Sequence, residues 1–156
     1  MRVRLADATD VARVREIVQR AYGIYIARIG RRPAPMDDDY AKKTSLNQVF
    51  VAADRGEIAG FLVLVSEQDH LLIENIAVDP DRQGTGIGLT LMAYAETYAT
   101  ERRIAELRLY TNQAMTENLA LYPRLGYNEY ARRSHQASLT PLQGWEILAI
   151  TSEESR

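Results

Sequence analysis

The hydrophobic and polar positions along the chain alternate between a helical period and a strand period. Apolar residues recur at three- and four-residue spacing from Val11 to Tyr22, which predicts an amphipathic helix with one face on the core. The segment Val3 to Ala6 alternates before it and predicts a short strand. Glycine and proline interrupt residues 24–35, and the aspartates at 37–39 then predict the start of a second helix that runs to about Ser45.

The middle of the chain is typical of three consecutive strands followed by a helix. Val49 to Ala53 and Glu57 to Ser66 flank the turn Asp54-Arg55-Gly56, which predicts an antiparallel hairpin, and His70 to Val78 is the next apolar segment. After a glycine-rich loop, a helix is expected that ends near Arg102. Its apolar residues at helical spacing predict the buried stripe, Ile87, Leu91, Ala95 and Tyr98.

The second half of the chain predicts a mixed sheet. Glu106 to Tyr110 follows that helix as a strand, and the helical crossover makes it parallel to the strand before the loop. A short helix is expected from Thr116, with Tyr127 to Arg132 and Trp145 to Ile150 as closing strands. The order of elements, without repeats or a linker, predicts one α+β (mixed α/β) domain over residues 1–156.

Composition narrows the classes of function. The chain has 156 residues and no cysteine, which suits one domain and excludes disulfides, thiolate metal sites and a covalent cysteine intermediate. Its two histidines, His70 and His135, lack ligand spacing, so no metal is expected. The net charge of −2 is well mixed, and the apolar runs are too short for a membrane helix. We expect a cytoplasmic protein without a nucleic-acid or membrane partner.

The segment from Gln83 to Gly88 carries three glycines at alternate positions directly before a helix. A helix start exposes about four unpaired N–H groups, and glycine lets an anion approach them closely. Such a loop suits a dinucleotide, a nucleoside triphosphate or coenzyme A. A dinucleotide fingerprint needs its last glycine where this chain has Leu89 or Leu91. A Walker loop ends in Gly-Lys-Ser/Thr, and this chain has no lysine after Lys43. A nucleotide site with a coincidental glycine loop stays an alternative.

The loop and the features around it occur in an order that one family of enzymes shows. They are the Q/R-x-x-G-x-G/A motif at Gln83-Gly84-Thr85-Gly86-Ile87-Gly88, the preceding strand Ile76-Ala77-Val78 with Asp79-Pro80, and the later residues Asn118, Tyr122 and Gly126-Tyr127. With these features the chain resembles the GNAT superfamily of acetyl-CoA-dependent N-acetyltransferases. The resemblance covers Glu57 to Tyr130.

The resemblance implies a three-layer fold with helices on both faces of a central, splayed mixed sheet of about six to seven strands. Acetyl-CoA would be the cosubstrate, its pantetheine arm bonded by backbone groups of Ile76 and Val78 and its pyrophosphate by the amides of Gly84 to Gly88. Arg82 would add charge at a phosphate. The cofactor-binding residues implied in this way are Ile76, Ala77, Val78, Arg82, Gln83, Gly84, Thr85, Gly86, Ile87, Gly88, Asn112 and Asn118.

Acetyl transfer to an amine needs a base, an oxyanion donor and an acid for the leaving thiolate. Removing the proton of a lysine-like amine at pH 7 costs roughly 4.6 kcal/mol, since its pKa is about 10.4. Glu74 is the candidate general base, acting through water, and the alternative for it is an outward-facing strand carboxylate. Tyr122 occupies the family's general-acid position, and a phenol's pKa of about 10 lies near that of a thiol. A main-chain N–H near Asn75 or Ile76, where the family has a bulge, is the expected oxyanion donor.

The acceptor is expected among the first two helices, their connection and the closing hairpin. Tyr25, Tyr40 and the aspartates at 37–39 suit a cationic amine, although a helix N-terminus with packing tyrosines is the simpler account. A carboxylate or phosphate on the acceptor would instead suit three arginines, Arg28, Arg31 and Arg32. The acceptor class therefore stays a small-molecule or peptide amine. Without a cysteine the acetyl group is expected to pass directly in a ternary complex. The rival function is a non-catalytic acyl-CoA-binding or regulatory module, and the closing strands are compatible with a homodimer.

Overall fold

The computed structural model describes residues 1–112, 128–131 and 145–151 of the chain. In that part of the chain, seven strands form one sheet in the order β1-β2-β3-β4-β5-β7-β6. The strands are β1 (Arg2–Leu5), β2 (Val49–Asp54), β3 (Glu57–Ser66), β4 (Leu71–Val78), β5 (Glu106–Asn112), β6 (Asn128–Ala131) and β7 (Trp145–Thr151). The helices are α1 (Val11–Gly23), α2 (Ile26–Ile29), α3 (Tyr40–Ser45) and α4 (Ile87–Glu101), with 3-10 turns at Ala8–Asp10, Ala34–Asp37 and Pro80–Arg82.

The sheet is mixed because one pair of neighbouring strands, β4 and β5, is parallel, whereas the other pairs are antiparallel. This confirms the parallel pairing expected from the crossover through α4. The β4–β5 ladder covers three residue pairs, from Leu71 with Leu107 to Ile73 with Leu109. Beyond Ile73 the ladder between the two strands ends, so, among the described residues, positions 74–78 of β4 have β3 on one edge and no paired strand across the gap toward β5. The sheet is therefore splayed, as the resemblance to the family implies.

Helices cover both faces of the sheet and give three layers. Alternate residues of a strand point to opposite faces, and β3 shows this directly: Leu62 and Leu64 belong to the core beside α4, whereas Phe61 and Val63 belong to the core beside α1. The α1 face follows the predicted spacing, with Val14, Ile17 and Val18 fully buried, and α4 buries Ile87, Leu91 and Ala95 as predicted. Tyr98 lies at the rim instead, packed on Phe50, because Ala99 takes the buried position one residue later.

A β-bulge in β4 turns two successive side chains to the same face. The β3–β4 ladder pairs Val63 with Asn75 and Leu64 with Ile73, so Glu74 is the extra residue. Ile73 and Ile76 pack into the α4-side core. Asn75 contacts α1 and α3 on the other face, and Glu74 contacts Lys43 of α3 on that same face. The bulge thus places the candidate base beside the start of the splay.

The connection between α1 and α3 differs in one detail from the sequence prediction. Residues 24–35 were expected to break any continuous helix, and they do, but four of them form α2, which Gly30 ends in a left-handed conformation with φ 83°. Asp39 caps α3 by accepting a hydrogen bond from the Lys42 backbone N–H at 3.0 Å, so the helix begins where the aspartates predict it. None of the described helices is long and apolar enough to cross a membrane.

Candidate active site

The glycine loop joins β4 to α4 and ends in a helix start without a side-chain cap. Gly84 and Gly86 have φ values of 83° and 85°, the left-handed region that glycine adopts freely. Gly86 is the N-cap of α4, and the first helical bond runs from the Thr90 N–H to the Gly86 oxygen at 3.0 Å. The N–H groups of residues 87–89 therefore lack intrahelical partners and carry the positive end of the helix dipole.

Space around the loop is open at the two glycines with positive φ, Gly84 and Gly86. A Cβ added to Gly84 or Gly86 would meet no protein atom within 4 Å, whereas one on Gly88 would contact Val78 at 3.8 Å. The backbone conformation at positions 84 and 86 thus favours glycine, and both positions leave room for an approaching group. Gly88 lies inside α4. The motif contains three glycines, but only Gly84 and Gly86 have the positive φ that favours glycine.

The open edge of β4 presents backbone groups toward β5. The Asp79 N–H bonds to the Ala59 oxygen in β3 at 2.8 Å. Since successive residues of a strand direct their backbone groups to opposite edges, Ala77 also faces β3, and Ile76 and Val78 face the gap. Side chains approach two of these carbonyl oxygens: the Tyr22 hydroxyl lies 3.2 Å from that of Ile76, and the Gln83 amide donates to that of Val78 at 3.5 Å.

Arg82 and Thr85, both predicted at the phosphate, have partners within the protein. Arg82 forms an ion pair with Asp54 of β2 and lies 3.8 Å from the Glu57 carboxylate. The Thr85 hydroxyl donates to the Arg82 carbonyl oxygen at 2.5 Å, which holds the turn before the glycines. The predicted phosphate contact of Arg82 would require its guanidinium to leave or share Asp54.

Asp79, the residue after β4, anchors the loop and was not recognised from the sequence. Its carboxylate is buried and accepts hydrogen bonds from Arg13 at 2.5 Å, Arg20 at 2.7 Å and the Asp81 N–H at 2.9 Å. Burial alone would raise the pKa of Asp79, but the Asp81 N–H and the two guanidinium groups outweigh it and hold that pKa below its usual range. The seven-residue spacing of Arg13 and Arg20, two helical turns, is the signal that could have revealed this contact.

On the opposite face, three charged side chains meet beside the splay. The Lys43 ammonium forms an ion pair with Glu74 and lies 3.9 Å from the Asp38 carboxylate. Burial raises the pKa of Asp38, Lys43 opposes this, and the charge of Glu74 adds to it. The candidate base is therefore not an isolated outward-facing carboxylate: it shares one ammonium with a second carboxylate.

A buried polar network holds the bulge in place. Asn75, only 4% exposed, accepts from the Tyr22 hydroxyl at 2.5 Å and donates to the Tyr40 hydroxyl at 2.7 Å, and Tyr40 donates to the Pro35 carbonyl oxygen at 2.5 Å. Burial raises the pKa of Tyr40, which keeps its hydroxyl protonated as a donor. No local pattern predicts this network, because its members lie up to 53 residues apart in the chain.

Two of the residues expected to line an acceptor pocket are engaged elsewhere. Tyr40 is 1% exposed and packs edge-on against Phe61, so the simpler account of a packing tyrosine is correct for it. Tyr25 has the Arg28 guanidinium over its ring at 5.2 Å. Of the three aspartates, Asp39 caps α3 and Asp37 pairs with Arg32 at 3.1 Å, which leaves Asp38 as the one that adjoins Lys43.

Some predicted site residues cannot be placed. Tyr122 and Asn118 lie outside the described residues. Asn112 is the last residue of β5, where it pairs with Trp145 of β7. Within the part of the chain that the structure describes, no three histidine, aspartate or glutamate side chains are grouped as metal ligands would be.

A surface cavity of about 600 Å³ lies beside the loop rather than at the splay. Arg13 and Arg20 of α1, the β2–β3 turn, Asp79 and Arg82 line it, and neither Glu74 nor Gly84, Gly86 or Gly88 does. Its arginines already pair with Asp79, Asp81 and Asp54. The cavity is thus the outer side of the loop's anchor. The unpaired N–H groups of α4, the edge of β4 at Ile76 and Val78, and Glu74 make this part of β4 the candidate site.

Known proteins resemble this chain in sequence and in fold. A model of the acetyltransferase (GNAT) family matches residues 11–127. The ribosomal protein bS18-alanine N-acetyltransferase of Escherichia coli (strain K12) is 34% identical over 102 residues, 65% of this chain and 69% of that protein. Streptothricin acetyltransferase of Streptomyces lavendulae is 36% identical over 81 residues, 51% of this chain and 42% of that protein. The crystal structure of PaiA N-acetyltransferase from Thermoplasma acidophilum in complex with coenzyme A has the same fold, with a TM-score of 0.79 at 17% identity over 96% of this chain and 98% of that one.

Proposed function

Because the chain belongs to the acetyltransferase (GNAT) family, it is an acetyl-CoA-dependent N-acetyltransferase, and we propose that Glu74 is the base that prepares its amine acceptor. The observation that carries this proposal is the bulge in β4. It turns the Glu74 side chain to the face opposite α4, beside the point where β4 and β5 separate. There the Glu74 carboxylate would meet an incoming amine, and acetyl-CoA held by the glycine loop and the edge of β4 would bring its thioester to the same region.

The residues around the loop fit acetyl-CoA. The unpaired N–H groups at the start of α4 and the open space at Gly84 and Gly86 suit its pyrophosphate. The backbone groups of Ile76 and Val78 face the gap, where they can bond the amides of the pantetheine arm as an added strand would. Bound there, acetyl-CoA supplies an activated acetyl group.

The chain's own residues then manage protons and charge. Glu74 accepts the proton of the acceptor ammonium, directly or through water, and a main-chain N–H at the bulge stabilises the oxyanion. Tyr122, which the resemblance places at the general-acid position, donates a proton to the leaving thiolate. Since the chain contains no cysteine, the acetyl group passes directly from thioester to amine in a ternary complex.

The charges at the site favour a cationic acceptor, and we place a peptide α-amine before other amines. Asp38 and Glu74 carry two negative charges against the single positive charge of Lys43, so the cluster can take a further ammonium. An α-amine has a pKa near 7.7–8.0, so removing its proton at pH 7 costs about 1 kcal/mol, against roughly 4.6 for a lysine. Ile24, between α1 and α2, and Ile26, the first residue of α2, are exposed and offer apolar contact for residues beyond the amine. The Escherichia coli relative, by its name, acts on an alanine of a ribosomal protein. The Streptomyces relative, whose name specifies an antibiotic, supports a small-molecule amine instead.

Release of coenzyme A, measured over a panel of short peptides with free and blocked N-termini, amino acids and small amines, tests the proposal. We expect free N-terminal peptides to raise release well above hydrolysis. Tyr122→Phe should lower kcat by about 100-fold or more while acetyl-CoA affinity is unchanged. Binding of acetyl-CoA without turnover on any amine would favour the acyl-CoA-binding module. Thermal stabilisation by ATP or NAD but not by acetyl-CoA would favour a nucleotide site.

Three further expectations stay predictions. A homodimer through the closing strands is compatible with β6, which is the outermost strand of the described sheet on that side. A cytoplasmic location and a single domain over residues 1–156 are proposed on the same footing. Size-exclusion chromatography with light scattering measures the first of these directly.

A further inference from the structure

Lysine is rare in this chain, and its two copies are adjacent. Of 19 basic residues, 17 are arginine, and the two lysines are Lys42 and Lys43 in α3. The distinction matters chemically, because arginine stays protonated at all ordinary pH values whereas a lysine amine can lose its proton and act as a nucleophile. The neighbouring lysines differ in position: Lys42 is exposed, whereas the Lys43 side chain is only 17% exposed.

The Lys43 amine lies against the proposed catalytic base. Its Nζ pairs with a carboxylate oxygen of Glu74 and lies 3.9 Å from that of Asp38. These are the two carboxylates that would receive the ammonium of an external acceptor. The Lys43 ammonium therefore occupies the place that the proposed function gives to the acceptor.

The position of Lys43 is set by contacts on both sides of it. Asp39 caps the helix, and the Lys43 N–H bonds to the Asp39 oxygen at 3.1 Å. Tyr40, buried in the same helix, accepts a hydrogen bond from Asn75, the residue next to Glu74. The helix that carries the amine and the bulge that carries the base are thus joined through Asn75, so their contact is a feature of the folded chain and not of a free side chain.

We infer that Lys43 is an internal acetyl acceptor, modified by the enzyme's own activity when no amine substrate is bound; this rests on the proposed role of Glu74. Glu74 takes a proton from the Lys43 ammonium, and the nitrogen lone pair forms a bond to the acetyl carbon. The carbon–sulfur bond breaks, and the thiolate leaves and is protonated. The products are N-acetyl-Lys43, coenzyme A and one proton released to solvent. The modification removes the positive charge that pairs with Glu74.

Mass spectrometry of the full chain incubated with acetyl-CoA alone tests the inference. We expect one acetyl group per chain, which peptide mapping locates at Lys43, at a rate per chain that does not change with protein concentration. Lys42→Arg is the matched control and should acquire the acetyl group normally. Lys43→Arg, which keeps the charge, should not, and Glu74→Gln should slow the modification about 100-fold.

Uncatalysed acetylation is the competing explanation, and the heat-unfolded chain with the same acetyl-CoA measures it. Equal acetylation of Lys42 and Lys43, or equal rates at Lys43 in the folded and unfolded chain, would overturn the inference. Peptide turnover with an unmodified Lys43 would overturn it while the proposed function stands. An enzyme that neither binds acetyl-CoA nor releases coenzyme A would overturn both. Acetylation of Lys43 without turnover of any peptide would support the inference and leave the external acceptor to be found.

Discussion

The two sides of the second half of β4 differ in the groups they offer to a ligand: backbone groups on one side and side chains on the other. On the side of α4, the proposed site consists of backbone: unpaired N–H groups at a helix start and strand groups that face a gap. On the side of α1 and α3, it consists of side chains from three elements, joined through Asn75 and through the Lys43–Glu74 pair. A backbone site recognises a group shared by every acetyl-CoA molecule. A side-chain site changes with each residue, so it suits the part of the reaction that differs between enzymes.

The two sides also differ in what makes them rigid. The glycine loop is held from one end by Asp79, whose carboxylate receives two arginines of α1. The acceptor side is held by a buried network in which each polar group has a partner, and such networks lose stability sharply when one member is removed. The difference predicts variants that damage one side and leave the other intact.

Glu74→Gln should have the largest effect and should act on the acceptor side alone. Loss of the base is expected to lower kcat about 100- to 1,000-fold, with the affinity for acetyl-CoA unchanged because the loop backbone is untouched. Steady-state kinetics and calorimetric titration with coenzyme A give the two values. Glu67→Gln, an exposed carboxylate outside the site, is the control. If Glu74→Gln keeps the wild-type kcat, Glu74 is not the base and serves only as the structural partner of Lys43.

Asp79→Ala should destabilise the fold by about 3 kcal/mol, since it leaves two arginines without their buried partner. Because the folded pKa of Asp79 is depressed, its contribution is present above the unfolded pKa of about 3.9 and is lost as pH falls through the folded value. The stability difference from wild type should therefore narrow below about pH 4. Urea unfolding at several pH values measures it. Asp81→Ala removes an exposed carboxylate that also pairs with Arg20 and should change stability little.

Gly86→Val should act on the cofactor side. A side chain at φ 85° costs about 1–2 kcal/mol in backbone strain and fills the open space before the helix start. We expect acetyl-CoA affinity to fall about tenfold or more. Gly30→Val places the same residue at φ 83° away from the loop and should cost similar stability without loss of affinity. Equal affinities in the two variants would count against the assignment of the loop.

Asp38→Asn should have the smallest effect, and its sign is informative. The pKa of Asp38 is raised by burial, so its charged form is less favourable in the folded state than in the unfolded chain. The variant should therefore be slightly more stable than wild type at neutral pH, an advantage that disappears as pH falls from the raised pKa through about 3.9. At the same time KM for a cationic acceptor should rise. Thermal unfolding across pH measures the first effect, and Asp37→Asn, exposed beside Arg32, should show neither.

Local features of the fold could be predicted from the sequence because they depend on neighbouring residues. The strand Glu57–Ser66 has the predicted bounds, and the cap of α3 at Asp39 and the uncapped start of α4 lie where the pattern indicates. Glu74 was selected as a base from its place next to the centre of the strand before the loop, but its partner Lys43 is 31 residues away and its orientation depends on a shift in strand register. Neither leaves a mark on local periodicity. The Arg13–Asp79 contact spans 66 residues; the spacing of Arg13 and Arg20 places both on one helix face but does not indicate which carboxylate they bind.

The short ladder between β4 and β5 has a mechanical consequence. In the described residues the sheet has two parts, β1 to β4 and β5 to β7, which are joined by a ladder of three residue pairs. A molecule that binds in the gap and bonds to the edge of β4 would add contacts between the two parts, so we expect its binding free energy to stabilise their relative position. Glu74, the proposed base, belongs to the first part, whereas Tyr122, the proposed acid, follows β5 in the chain. We therefore expect the bound cosubstrate to help hold the proposed base and acid at one reacting group, in addition to supplying the acetyl group.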